Sequence, residues 1–323
     1  MAAILKSAGR WKLIPVLLMA LIIVIAADIP AYVAKTKGTE ENTSDGGYQA
    51  GAKQPGGKGV VITQPVLGCS YYVDRDFKRS IEAAVPADGD NGKIIGGIVP
   101  HHLLADTMIS SFFASVSEAE PQVVFIVGPN HKRLGSSKIH TGSWNWQTPW
   151  GLLEADADKV KGLVESCPAA ENFQLLEIEH SVSSLVPYIK YYMPQARIVP
   201  LVLHGNLGLE GSRELARKIG DAAGDSKWIV IGSIDFSHYL MPEEADKMDN
   251  ITLKAIESGD LKAISSMGND NMDSPPSLMT VLEVVGNRGE YEMKVTGHSN
   301  SSRVTGVYSD NNTSYFTILF YSK

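Results

Sequence analysis

The chain has 323 residues, 44% of them hydrophobic, and a formal net charge of −7 at pH 7. That is enough chain for a single large α/β domain, and the acidic balance, with no Lys/Arg run interleaved with aromatics, excludes a nucleic-acid-binding surface. The two cysteines, Cys69 and Cys167, have no Cys-x-x-Cys spacing, which excludes a thiolate zinc cage and leaves open one disulfide or two free thiols.

At the N-terminus Lys6, Arg10 and Lys12 precede the apolar stretch Leu13 to Ala27, which Asp28 closes. A basic start followed by about 15 apolar residues has the export pattern, and Ile29 to Ala34 extends the candidate span. Residues 1–34 therefore read as a signal peptide cleaved after Ala34 or as an uncleaved membrane anchor with its basic end inside. Either way the main domain is extracytoplasmic, secreted or membrane-anchored. Residues 35–64 are rich in Gly, Lys, Thr and Gln with few large apolar side chains, and read as a flexible linker. Residues 65–323 form the α/β domain.

Within that domain a short helix is expected over Asp76 to Val85 and a buried strand over Ile94 to Val99. Apolar residues at helical spacing, Leu103/Leu104, Met108, Phe112 and Val116, predict a helix over 103–116. Val123 to Val127 is a second buried strand and Ile139 to Gly142 a short one. The Trp-rich segment Trp144 to Gly151 reads as a loop. Helices are expected over Asp156 to Cys167, Ser181 to Met193, Leu209 to Ala223 and Glu243 to Ser258. Arg197 to His204 is strand-like, although Pro200 argues for an edge or an irregular start. Further strands are expected over Trp228 to Ile234, Tyr291 to Val295, Val304 to Tyr308 and Tyr315 to Tyr321. The alternation implies a mixed, mostly parallel sheet covered by helices on both faces.

Three of the apolar runs deliver histidine at their ends. Ile94 to Val99 leads to Pro100-His101-His102, Val123 to Gly128 to Pro129-Asn130-His131, and Trp228 to Ile234 to Asp235-Phe236-Ser237-His238. An open α/β sheet places its chemistry at the carboxyl ends of its strands. Three imidazole-bearing ends thus predict one shared metal or acid/base site. No Gly-x-Gly-x-x-Gly, Walker loop, Gly-x-Ser-x-Gly elbow or His-Glu-x-x-His occurs, which removes the usual anchors for nucleotide, hydrolase and zincin chemistry.

From about Gly68 to the C-terminus the chain resembles the MEMO family, whose bacterial and archaeal members are called AmmeMemoRadiSam system protein B. Gly68-Cys69-Ser70-Tyr71-Tyr72-Val73-Asp74 resembles the opening Gly-x-x-Tyr-x-x-Asp. Val99-Pro100-His101 and Gly128-Pro129-Asn130-His131 resemble the family's two histidine motifs, and Thr148-Pro149-Trp150-Gly151 its Thr-Pro-Leu-Gly loop. Glu179-His180-Ser181 with Pro187-Tyr188 is similar to its Glu-His-Ser element, and Ile234-Asp235-Phe236-Ser237-His238-Tyr239 to its Ser-Asp-x-Ser-His-Tyr motif.

The resemblance implies a fold like that of LigB-type extradiol dioxygenases, and a mononuclear metal pocket, with iron or copper, in a possible metal-dependent oxidoreductase. It assigns His101 and His131 as metal ligands. Where the family has Cys, the chain reads Asn271-Met272-Asp273-Ser274-Pro275-Pro276. Asp273 would complete a two-His, one-carboxylate set suited to Fe(II), while Met272 would instead favour Cu(I). His180, Asp235 and His238 are the remaining catalytic or orienting candidates, with Asp235 a candidate to orient the His238 ring. His102, His140, His204 and His298 read as structural or exposed. Ser183 and Leu185 stand where the family usually has Glu and His/Gln. The resemblance also implies radical SAM and AMMECR-type partner proteins. A second reading keeps the fold without catalysis, as a scaffold whose cleft takes a small molecule or peptide.

Overall fold

The computed structural model describes residues 64–87 and 92–323. The expected export segment, residues 1–34, and nearly all of the linker, residues 35–64, lie outside the described residues. Among the described residues no helix is long and apolar enough to cross a membrane.

Eleven strands are described, in chain order: β1 (Leu67–Gly68), β2 (Ile94–Val99), β3 (Val123–Pro129), β4 (Ile139–Thr141), β5 (Trp146–Thr148), β6 (Gly151–Leu153), β7 (Ala169–Glu171), β8 (Arg197–Leu203), β9 (Trp228–Ser233), β10 (Tyr291–Asn300) and β11 (Ser314–Ser322). Eight of them form one sheet in the order β10-β11-β2-β9-β3-β8-β4-β7, and β1, β5 and β6 form a second. The central strands β2, β9, β3 and β8 run parallel, whereas β10, β11 and the β4–β8 contact are antiparallel. This is the mixed, mostly parallel α/β sheet expected from the alternation.

The central strands are apolar along their whole length because both faces are covered. Val123, Phe125 and Val127 of β3, with Val199, Leu201 and Leu203 of β8, point into one core, which the helices Ala157–Ser166, Gly208–Ala223 and Pro275–Gly286 complete. Val124, Ile126, Ile198 and Val202 alternate into the other, beneath the helices Asp106–Ser117 and Val186–Tyr192 and the small sheet. Gly97 is where Asp106–Ser117 approaches closest: a Cβ there would lie 2.5 Å from the Phe112 ring and 2.6 Å from the Ile318 carbonyl oxygen.

Several local expectations are corrected. Trp144 to Gly151 is not all loop: β5 and β6 form a hairpin there, with Gly151 at φ 100° and Trp146 fully buried. The expected helix over 181–193 is two helices, His180–Ser183 and Val186–Tyr192, because Pro187 has no N–H to continue the ladder. Val304 to Tyr308 is not a strand. Asn300 caps the Arg303 amide and Gly306 at φ 73° closes a short helix, Ser301–Thr305, so capping outweighs the β-branched residues. Pro200 lies inside the sheet rather than at its edge. Its missing N–H falls between the Ile198 amide, bonded to the Glu154 carbonyl, and the Val202–Leu203 pairing with β4, so the ladder loses nothing.

Candidate metal centre

Because β2, β9 and β3 are neighbours, with Val99 opposite Ser233 and Val127 opposite Gly232, their carboxyl ends open at one place. That register delivers His101, Asp235 and His131 together. Asp273 arrives from the opposite direction, on the segment that precedes the helix Pro275–Gly286. Its amide donates to the Asp235 carbonyl (3.1 Å), and Ser274 caps the helix. The helix N-terminus next to Asp273 favours the ionised carboxylate.

Asp273 Oδ2 lies 3.2 Å from His101 Nε2 and 3.4 Å from His131 Nε2, and Asp235 Oδ2 lies 3.4 Å from His101 Nε2. These are ion-pair separations, and His101, Asp235 and Asp273 lie close enough together to share an ion as well. The other ring nitrogens are already held. His101 Nδ1 is 3.0 Å from Ser233 Oγ, which in turn donates to the Ser181 carbonyl. His131 Nδ1 is 2.9 Å from Glu179 Oε1. Outer partners of this kind hold both rings in place with their Nε2 atoms facing the carboxylates. Asp273 Oδ1, the oxygen that does not face the two rings, is buried without a hydrogen-bond partner.

Electrostatics follow from the geometry. Burial disfavours charge on His101 and His131, yet the carboxylates outweigh it: Asp235 and Asp273 raise His101, while Asp273 and Glu179 raise His131 to about 10. Burial likewise opposes charge on Glu179 and Asp273, but hydrogen bonds and charge from the histidines hold Glu179 down to about 2 and Asp273 well below the usual carboxylate range. His180 is pulled down to about 4 by burial and by its cationic neighbours His101 and His131. Its ring stacks on His131 with centroids 4.3 Å apart, and one nitrogen from each of His101, His131 and His180 falls within 4.8 Å of the others. His180 Nδ1 sits 3.3 Å from Glu179 Oε1.

The structure thus brings His101, His131, His180, Asp235 and Asp273 together. Asp235 does not orient His238: its Oδ1 accepts the amides of His101 and His102 (3.1 and 3.4 Å), and the His238 ring makes no hydrogen bond among the described residues. His238 lines a cavity with His131 and Asp273. Met272 is fully buried in the apolar core, backbone-paired with Phe236, so its thioether does not join the cluster of imidazoles and carboxylates. Ser183 and Leu185 are buried, and Ser183 Oγ donates to the Glu179 carbonyl. Both thiols are free, and burial pushes that of Cys69 up to about 12.

Glu179 and Ser233 are the site residues that strand-end reasoning missed. Glu179 is fully buried and accepts the His131 amide (2.8 Å), the Ser181 amide (3.0 Å) and the His131 ring. The adjacent Glu179-His180 pair was the available signal. A second group of possible ligands is Asp246, Asp249 and His298, in which Asp246 Oδ1 is buried without a hydrogen-bond partner while the other oxygens are engaged within the protein. Asp249 accepts from Ser237, Ser314 and His298, and Asp246 pairs with Arg303.

Residues 67–319 match the family model described as Memo-like protein. A MEMO1 family protein of Pyrobaculum aerophilum is 29% identical over 239 residues, covering 71% of this chain and 84% of that protein. Another, of Caldivirga maquilingensis, is 28% identical over 290 residues, covering 81% of this chain and all of that protein. One from Methanobrevibacter smithii is 34% identical over 223 residues, covering 62% and 78%. The crystal structure of an uncharacterized protein from Escherichia coli K12 aligns at a TM-score of 0.49 with 13% identity, covering 70% of this chain and 99% of that one. The chain belongs to the Memo-like protein family.

Proposed function

We propose that the chain holds one metal ion on His101, His131 and Asp273 and uses it as a metal-dependent oxidoreductase acting on a small molecule. The observation that carries this reading is Asp273 Oδ2 at 3.2 and 3.4 Å from the Nε2 atoms of two histidines whose Nδ1 atoms are otherwise engaged. Two imidazoles and a carboxylate suit Fe(II) ahead of copper, since no sulfur donor joins the set. A bound Fe(II) would supply one-electron chemistry at coordination positions the protein leaves open.

The protein's own groups have separable tasks. Glu179 and Ser233 orient the two rings, and Asp235 fixes the 101–102 backbone while adding negative charge beside His101. His180, whose ring stacks on His131 and whose Nδ1 lies 3.3 Å from Glu179 Oε1, is the group placed to exchange a proton with a substrate.

The test is the metal content of the full-length chain purified without a His tag. Stoichiometric iron that is lost in His101→Ala and His131→Ala supports the reading. Equal metal content in all three proteins refutes it and favours the non-catalytic scaffold.

A further inference from the structure

Two of the three non-glycine residues with left-handed backbone among the described residues, Arg133 (φ 51°) and Tyr239 (φ 60°), line the same cavity as His131 and Asp273. Such a conformation is unfavourable for an L-residue and persists only where the surroundings impose it. Here they do. The buried Asn130 staples the Arg133 turn from both sides, Nδ2 donating to the Leu134 carbonyl (2.9 Å) and Oδ1 accepting the Leu134 amide (3.2 Å), while the Arg133 amide donates to the Asn130 carbonyl. The 238–239 backbone is held likewise, by His238 N–H to the Asn269 carbonyl and Tyr239 N–H to the Asn312 carbonyl, 2.8 Å each. Two stapled loops therefore present Arg133 and an exposed Tyr239 ring to the cavity.

The cavity, about 350 Å³, suits a small molecule. Asp273 is the one carboxylate in its lining, and the rings of His101 and His131 face that carboxylate at 3.2 and 3.4 Å. The side chains of Arg133, Asn206 and Asn269 make no hydrogen bond or ion pair among the described residues, and each lines it. A larger cleft, about 650 Å³, contains none of the site's imidazoles, and its Arg79 and Asp106 are paired with each other.

We propose that this cavity is the substrate subsite of the metal centre and takes a small oxyanion, a carboxylate or phosphate compound, held by Arg133. The proposal rests on the metal-site reading for the reaction that follows, though not for binding itself. Guanidinium is the side chain best matched to a planar or tetrahedral oxyanion, and Asn206, Asn269 and the His238 ring supply further donors around it.

The experiment uses the full-length chain stripped of metal by chelation, so that the anion cannot bind through an ion. Calorimetric titration with succinate and with inorganic phosphate should show one-site binding of at least one of them, weakening as salt rises. Arg133→Gln should weaken it about tenfold or more. Arg133→Gly, which suits the left-handed turn and removes the charge without strain, should do the same, so that loss in both variants is not misfolding. Binding of neither anion, or equal binding by the variants, overturns the proposal. Metal uptake is measured separately on the same preparations: Arg133-dependent anion binding in a chain that never takes up metal upholds the cavity and refutes the metal centre.

Discussion

Replacing Glu179 by Gln removes one negative charge without changing side-chain size, at a position with no solvent exposure. The carboxylate accepts from the His131 ring at 2.9 Å and the Ser181 amide at 3.0 Å through Oε1, and from the His131 amide at 2.8 Å through Oε2. In the amide, one of those two atoms becomes an NH2 group facing N–H donors, so at least one buried donor loses its acceptor. Such a loss costs about 1–3 kcal/mol. For a domain of this size that lowers Tm by roughly 3–10 °C. Because Glu179 also fixes the His131 tautomer, metal affinity should fall by about 10–100-fold, as for other outer partners of ligand histidines. Thermal unfolding of the metal-free chain gives the first quantity, and anaerobic Fe(II) titration or the Co(II) visible spectrum the second. Unchanged Tm together with unchanged affinity would refute the assignment of Glu179 as the residue that orients His131.

Metal uptake at pH 7 should release protons, because His131, raised to about 10, is charged in the metal-free chain and must become neutral to bind. Calorimetry in buffers of different ionisation enthalpy measures the release, and none would contradict the assignment. The same raised value stabilises the metal-free fold fully below about pH 6.5, and that contribution is lost as pH rises through about 10. Asp273→Cys should shift preference from Fe(II) toward Cu(I) and zinc, read by competition between the metals, whereas Asp273→Asn should weaken all of them. The export pattern of residues 1–34 predicts that a reporter active only outside the cytoplasm is active when joined after Thr63; a silent reporter would refute it.

The sheet was legible because burial on both faces makes the central strands nearly continuous apolar runs, and their ends at Pro100, Pro129 and Ile234 pointed to the residues that converge. The helix Pro275–Gly286 was not legible as an amphipathic element, since it is buried nearly all round and shows no polar stripe. Val304 to Tyr308 reads as strand because Val304, Thr305 and Val307 are β-branched, while the helix Ser301–Thr305 that overlaps it depends on capping by Asn300 and Gly306, which the neighbouring strands place. At the site, His101 and His131 followed from strand register, but Asp273 is brought in by a backbone bond to Asp235 across 38 residues. No spacing rule predicts that. His204, read as structural or exposed, accepts the Asn206 amide at Nδ1 (3.3 Å) and also lines the cavity beside His131, since β8 ends next to β3.

The central claim is most directly tested by a crystal structure of the iron-loaded chain, with anomalous differences measured at the iron edge. The account predicts one strong peak within bonding distance, about 2.1 Å, of His101 Nε2, His131 Nε2 and Asp273 Oδ2. No peak there, or a peak instead between Asp246, Asp249 and His298, would contradict it.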